Sequence, residues 1–253
     1  MTWLAKNLDK NKHCFFGSKG GFSSGKYTSL NANTKSYDDK NCLKKNLESI
    51  ACKVGLKKED LTLLNQGVSN KAVYINEANW DEVVADGTVT TKKGIGLCIR
   101  TADCAPILFE DRKNGVIGAA HAGWRGAFKG IIENVIVLML ENGAELKNIK
   151  AAIGPCVMQE SYEVDENFYN QFIEQDTNNK KYFIESKREG HFNFDLPNYC
   201  SDRLKKVGVE NIDVAYLDTY ALDDEYFSFR RFTHKGLVKE PKDFPTQVSV
   251  ITL

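Results

Sequence analysis

The sequence predicts a mixed α/β (α+β) chain folded as a single domain, and three features carry that prediction. Short apolar strands cluster around the turn at Lys113-Asn-Gly, amphipathic helical stretches interrupt them, and no repeat or interdomain linker divides the 253 residues. Composition adds only that the chain is an ordinary globular one, with 42% hydrophobic residues, 27% charged residues and five prolines.

The elements follow in order. His13-Cys-Phe-Phe reads as a short apolar strand, and the glycine-rich stretch Gly17-Ser-Lys-Gly-Gly-Phe-Ser-Ser-Gly after it reads as a loop that turns sharply and can approach a ligand. Leu43, Leu47, Ile50 and Val54 recur at three- and four-residue steps, predicting a helix over about 38–54 that Gly55 ends. Strands are expected at 73–75, 95–100, 107–109 and 116–120, the β-rich centre. Phe128, Ile131, Ile132, Val135, Ile136, Met139 and Leu140 then predict one apolar helix ending at Asn142-Gly143. A strand at 149–153 is capped by Gly154-Pro-Cys, and 174–190 is polar enough to be a surface excursion without chemistry. A helix over 196–207 and strands at 212–216 and 248–251 complete the chain.

Thirty-four basic residues balance 34 acidic ones, which removes the global electrostatic argument for a nucleic acid or an anionic membrane as partner and leaves room only for a local basic pocket. No interface is specified, so the oligomeric state stays open. Neither a secretion-type apolar run at the amino terminus nor a membrane-length stretch is expected, which favours the cytoplasm. Seven cysteines, at 14, 42, 52, 98, 104, 156 and 200, are odd in number and irregularly spaced, as suits free thiols in a reducing compartment.

Cys104, in Thr101-Ala-Asp-Cys-Ala-Pro, and His121, in His121-Ala-Gly-Trp-Arg-Gly, each fall at a strand edge. A thiolate and an imidazole are good zinc ligands and also make a cysteine nucleophile with its base, so two chemistries are open. Asp103 and Pro106 break the strand pattern around Cys104, as where a backbone bends to present a side chain. Gly123 and Gly126 open space where a helix begins, and with Arg125 they offer an anion site. Arg230 and Arg231 are further candidates for phosphate or carboxylate, as against an ordinary solvated charge pair. Cys156 has a similar turn context and a weaker claim, and His13, His191 and His234 read as structural or exposed.

Phe15-Phe-Gly-Ser-Lys-Gly-Gly-Phe-Ser-Ser-Gly, Ala85-Asp-Gly, Thr101-Ala-Asp-Cys-Ala-Pro, His121-Ala-Gly-Trp-Arg-Gly, Ile153-Gly-Pro-Cys and Phe227-Ser-Phe-Arg-Arg together resemble the YfiH family, nearly end to end. This is the laccase-domain or "polyphenol oxidase" family, whose members are described as zinc-dependent purine nucleoside phosphorylases with adenosine deaminase and methylthioadenosine phosphorylase activities, and as a peptidoglycan editing factor. The resemblance implies mixed β-sheets layered between helices, related to the catalytic domain of cytotoxic necrotizing factor toxins. It implies zinc held by Cys104, His121 and a histidine of a Gln-Val-His motif. Here the matching stretch, Leu64-Asn-Gln-Gly-Val-Ser, puts Val68 at the third ligand, which lowers the expected zinc affinity and activity. Ser18 and Asp218 depart from a usual arginine and a common cysteine.

The resemblance thus implies a purine nucleoside phosphorylase or adenosine deaminase, with Cys104, His121 and Asp103 as catalytic residues and Gly123, Arg125, Arg230 and Arg231 toward substrate and phosphate. A metal-free cysteine hydrolase acting on an amide or cell-wall peptide precursor, and an inactive binding scaffold, are the alternatives. Copper oxidation of phenols is disfavoured, because four scattered histidines do not assemble a multi-histidine copper centre.

Overall fold

The computed structural model describes residues 2–253. In chain order its elements are β1 (Thr2–Trp3), β2 (His13–Phe16), α1 (Lys40–Lys53), β3 (Leu61–Asn65), β4 (Ala72–Tyr74), β5 (Trp80–Val84), β6 (Gly87–Thr90), β7 (Gly96–Thr101), β8 (Ala105–Asp111) and β9 (Val116–Ala122). There follow α2 (Trp124–Lys129), α3 (Ile131–Glu141), β10 (Lys150–Ile153), β11 (Glu163–Asp165), α4 (Glu166–Gln175), β12 (Phe183–Glu185), β13 (His191–Phe194), α5 (Leu196–Lys206), β14 (Asn211–Val214), α6 (Phe229–His234) and β15 (Gln247–Thr252). One six-stranded mixed sheet has the order β1-β2-β15-β7-β3-β5, a second β14-β10-β8-β9-β6-β4, and a small antiparallel sheet β11-β13-β12.

Strand alternation dictates how these layers stack. On β7, Leu97 and Ile99 pack with Leu108, Ile117, Ala119, Ala152 and Ile251 between the two large sheets. Cys98, one residue out of phase, turns the other way and joins Cys14, Phe16 and Val250 against Leu47 and Ile50 of α1. On the second sheet Ile107, Phe109, Val116 and Ala120 face outward onto Ile132, Val135, Ile136 and Met139 of α3 and onto Leu204 of α5. The result is helix, sheet, sheet, helix: the layered mixed α/β architecture expected. α1 starts where Asp39 accepts the N–H groups of Asn41 and Cys42, and it buries the predicted stripe.

The single helix expected after His121 is two. Gly130, at φ 93° in the left-handed region, ends the six-residue α2 and starts α3 at a new angle. The polar stretch 174–190, read as a bare surface excursion, contributes Tyr182 and Phe183 to the core. Phe183 joins Phe168, Phe172, Phe194 and Tyr199 in a cluster of rings in mutual contact, with Trp124 resting 4.5 Å from Phe168. Local hydrophilicity hid two aromatic side chains that tertiary packing needs. Because Phe172 is fully buried at the centre of the cluster, Phe172→Ala is expected to cost about 3–5 kcal/mol, read as a lower denaturant midpoint.

Candidate active site

Three adjacent strands bring the site together. β9 lies between β8 and β6, with Pro106 and Ala105 opposite His121 and Ala122, and Gly87 opposite Ala120. Cys104 therefore enters β8 beside the end of β9, and Asp86 enters β6 on the other flank. The Asp86 carbonyl accepts the His121 backbone N–H at 2.7 Å, and the Asp86 carboxylate Oδ1 lies 2.8 Å from His121 Nδ1.

On the opposite side of the ring, the Cys104 sulfur approaches. A Cβ placed on Gly123 would sit 2.8 Å from Cys104 Sγ and 3.8 Å from His121 Nε2, so both tips meet over this glycine. Gly123 has an ordinary φ of −66°, which locates its constraint in space rather than in backbone freedom. Gly123→Ala is accordingly expected to push the sulfur out of line and cut turnover about tenfold or more with little loss of melting temperature, a split that kinetics and thermal unfolding together would reveal.

Asp86 is fully buried and fully engaged. The backbone N–H groups of Gly67, Val68 and Ser69 reach its carboxylate at 3.3, 3.1 and 2.6 Å, and the Ser69 hydroxyl at 2.7 Å. Burial opposes its charge, but the His121 and Ser69 hydrogen bonds win and hold the carboxyl below its ordinary range. His121 is 7% exposed. Burial works against a charge on its ring, yet the Cys104 sulfur and Asp86 together outweigh that and push its pKa up to about 10. Among the sequestered cysteines, burial pushes Cys14 and Cys98 up to about 12, and Cys156 and Cys200 also rise.

Cys104 opens onto a cleft of about 350 Å³ whose lining includes Ala102, Trp124, Tyr162, Phe229, Arg230 and His234. A wider cleft of about 620 Å³ shares Trp124, Tyr162, Arg230 and His234 with it and extends to Arg125, Arg188 and His191. Arg125 lies over the Trp124 ring at 4.3 Å, and Arg230 lies near Tyr162 while donating to the Glu163 carbonyl. Among the described residues, neither of these two guanidinium groups has an ion-pair partner.

Other expected site residues do different work. Asp103, at φ 92°, accepts from Thr219 Oγ1, Ser228 Oγ and the Arg230 N–H, so its carboxylate fastens α6 to the Cys104 turn, and it lines the same cleft as Cys104. Arg231 is buried, donates to the carbonyls of Thr219, Tyr220 and Tyr226 and pairs with Asp223, leaving no guanidinium edge for phosphate. Gly126 is a packing glycine whose added Cβ would meet Ser69 O at 3.1 Å. In the glycine-rich loop, an added Cβ on Gly21 would strike Ser29 O at 2.3 Å, so the close approach there is chain to chain. Asp218 bonds Ser161 and the Tyr220 N–H, and His13 is buried between Asp9 O and Ala5 N. Arg188 and His191, from the stretch expected to carry no chemistry and its edge, line the wider cleft.

The donor set for zinc is incomplete. Cys104 Sγ and His121 Nε2 face one another, but the position that the family resemblance gives to a third ligand is the apolar Val68. Among the described residues no three His, Cys, Asp or Glu side chains converge as a metal-holding group. A catalytic zinc normally takes three protein ligands, so these residues do not fit it.

The same framework is found in known proteins. Residues 12–238 match the family model described as multi-copper polyphenol oxidoreductase laccase. A purine nucleoside phosphorylase of Rickettsia prowazekii is 42% identical over 75% of this chain and 77% of its own length. One of Deinococcus radiodurans is 34% identical over 87% and 83% respectively. A solved Neisseria meningitidis protein of the DUF152 family superposes with a TM-score of 0.85 at 28% identity, over 100% of this chain and 98% of that one. Match length, identity and superposition agree, and the chain belongs to the laccase-like YfiH (DUF152) family.

Proposed function

We propose that this protein is an enzyme that cleaves purine nucleosides with phosphate, in the cleft that Cys104 lines. What supports the reading most is the pairing of an apolar, ring-lined cleft with two guanidinium groups lacking acidic partners, in a chain whose relatives are named purine nucleoside phosphorylases. Trp124, Tyr162 and Phe229 offer faces to a purine base, and Arg125 and Arg230 offer charge to a phosphate dianion.

In phosphorolysis a phosphate oxygen bonds to the ribosyl C1′ as the C1′–N9 bond breaks, and the purine leaves with the bonding electron pair and a proton. His121, kept protonated behind the cleft-lining Cys104, is the proton reservoir. No step calls on a metal. The test is phosphate-dependent release of hypoxanthine from inosine. Arg230→Ala is expected to raise the KM for phosphate about tenfold with a smaller effect on the KM for inosine, and release at an equal rate without phosphate would reject the reading. For adenosine, adenine is the expected product. Conversion to inosine, the deaminase activity of the resemblance, finds no three-donor centre to drive it among the described residues.

A second reading is favoured by one observation. Sulfur, imidazole and carboxylate in sequence is the arrangement that activates a cysteine for acyl transfer, so a metal-free hydrolase of amides fits the same centre. Trapping of a Cys104 thioester would support it against phosphorolysis.

A further inference from the structure

We infer that Asp86 is the positioning residue of the reaction centre: it fixes the His121 ring so that Nε2 addresses the Cys104 sulfur, which makes the pair competent without a metal. The inference rests on Cys104 and His121 being that centre, whichever substrate they serve.

The geometry is specific. Asp86 holds His121 at two points, with its carbonyl on the backbone N–H and its carboxylate on Nδ1, so neither the chain nor the ring can rotate freely. The carboxylate is itself held by four donors of the Gly67–Ser69 loop. One of those donors is the N–H of Val68, at the position where the family resemblance puts a third zinc ligand. In this chain that loop contributes to the centre through three backbone N–H groups and the Ser69 hydroxyl, acting on Asp86. A carboxylate on Nδ1 fixes the ring orientation in which Nε2 faces the nucleophile, and losing that orientation is what disables such a pair. Gly123 completes the device by leaving room for the sulfur.

The test uses the full chain and no nucleoside, so its failure is separable from failure of the phosphorylase reading. With only four histidines, the ring proton spectrum is assignable. A His121 Nδ1 proton bound to a carboxylate is expected well downfield of the amide region in the unmodified protein, and lost in both Asp86→Asn and His121→Gln. In chelator-containing buffer at neutral pH, iodoacetamide is expected to label Cys104 about tenfold faster than the exposed Cys52, and Asp86→Asn to abolish that advantage with the Cys52 rate unchanged. Absence of the downfield proton in the unmodified protein overturns the inference even if Asp86→Asn does not fold. A Cys104 rate indifferent to Asp86→Asn overturns it too, as does a rate that climbs when chelator is added, because a metal would then have been capping the sulfur.

Discussion

Cys104→Ala is expected to lower kcat/KM for phosphate-dependent cleavage of inosine by about 100-fold or more, with little change in unfolding midpoint. The asymmetry comes from where the sulfur lies. Cys104 is half-buried on the wall of a cleft, so truncating it leaves no sealed cavity behind. Cys200 is fully buried among the outer helices, and Cys200→Ala is expected to do the reverse, costing stability and sparing turnover. Steady-state kinetics beside denaturant melts separates the two. A loss under about threefold for Cys104→Ala would make this thiol a bystander and move the chemistry elsewhere in the cleft.

Val68→His carries the second large effect: zinc content is expected to rise from well below one to about one per chain, with inosine then formed from adenosine. Three donors are the usual minimum for a catalytic zinc, and the native chain brings two. The backbone is already in the right neighbourhood, since the Val68 N–H and His121 Nδ1 both address Asp86 Oδ1. It is also in a conformation that suits the replacement. Val68 has φ 59°, in the left-handed region where a β-branched residue is strained and histidine is better tolerated. The residue is 41% exposed, so the exchange empties no core. Elemental analysis of protein purified without added metal, with equilibrium dialysis against zinc, checks this. Equal zinc in both proteins would show that the loop does not point its side chain at Cys104 and His121.

The strands and helices with clear periodicity were legible in the sequence because each buries one regular face: the Leu43, Leu47, Ile50 stripe of α1 and the apolar run of α3 are local signals. The aromatic cluster under α4 was not, because Phe172, Phe183 and Phe194 come from three elements that only tertiary packing unites. The site divides the same way. Cys104 and His121 stood out through flanking turn residues and glycines at strand ends. Asp86 did not, since it is 35 residues from His121 and reaches it through strand pairing, from a four-residue β6 too short to announce itself. The one available signal was Ala85-Asp-Gly, which carried family resemblance without indicating a role. Arg231 misled for the opposite reason: a charged residue beside a motif looks free in a sequence, whereas here its guanidinium is consumed by hydrogen bonds that anchor α6.

The most direct test of a Cys104–His121–Asp86 centre working without metal is inosine phosphorolysis by protein stripped with chelator and shown by elemental analysis to be metal-free. Retention of base release at the rate of untreated protein, lost in Cys104→Ala and in Asp86→Asn, is the expected result. Inactivity of the stripped protein that zinc alone restores would contradict it.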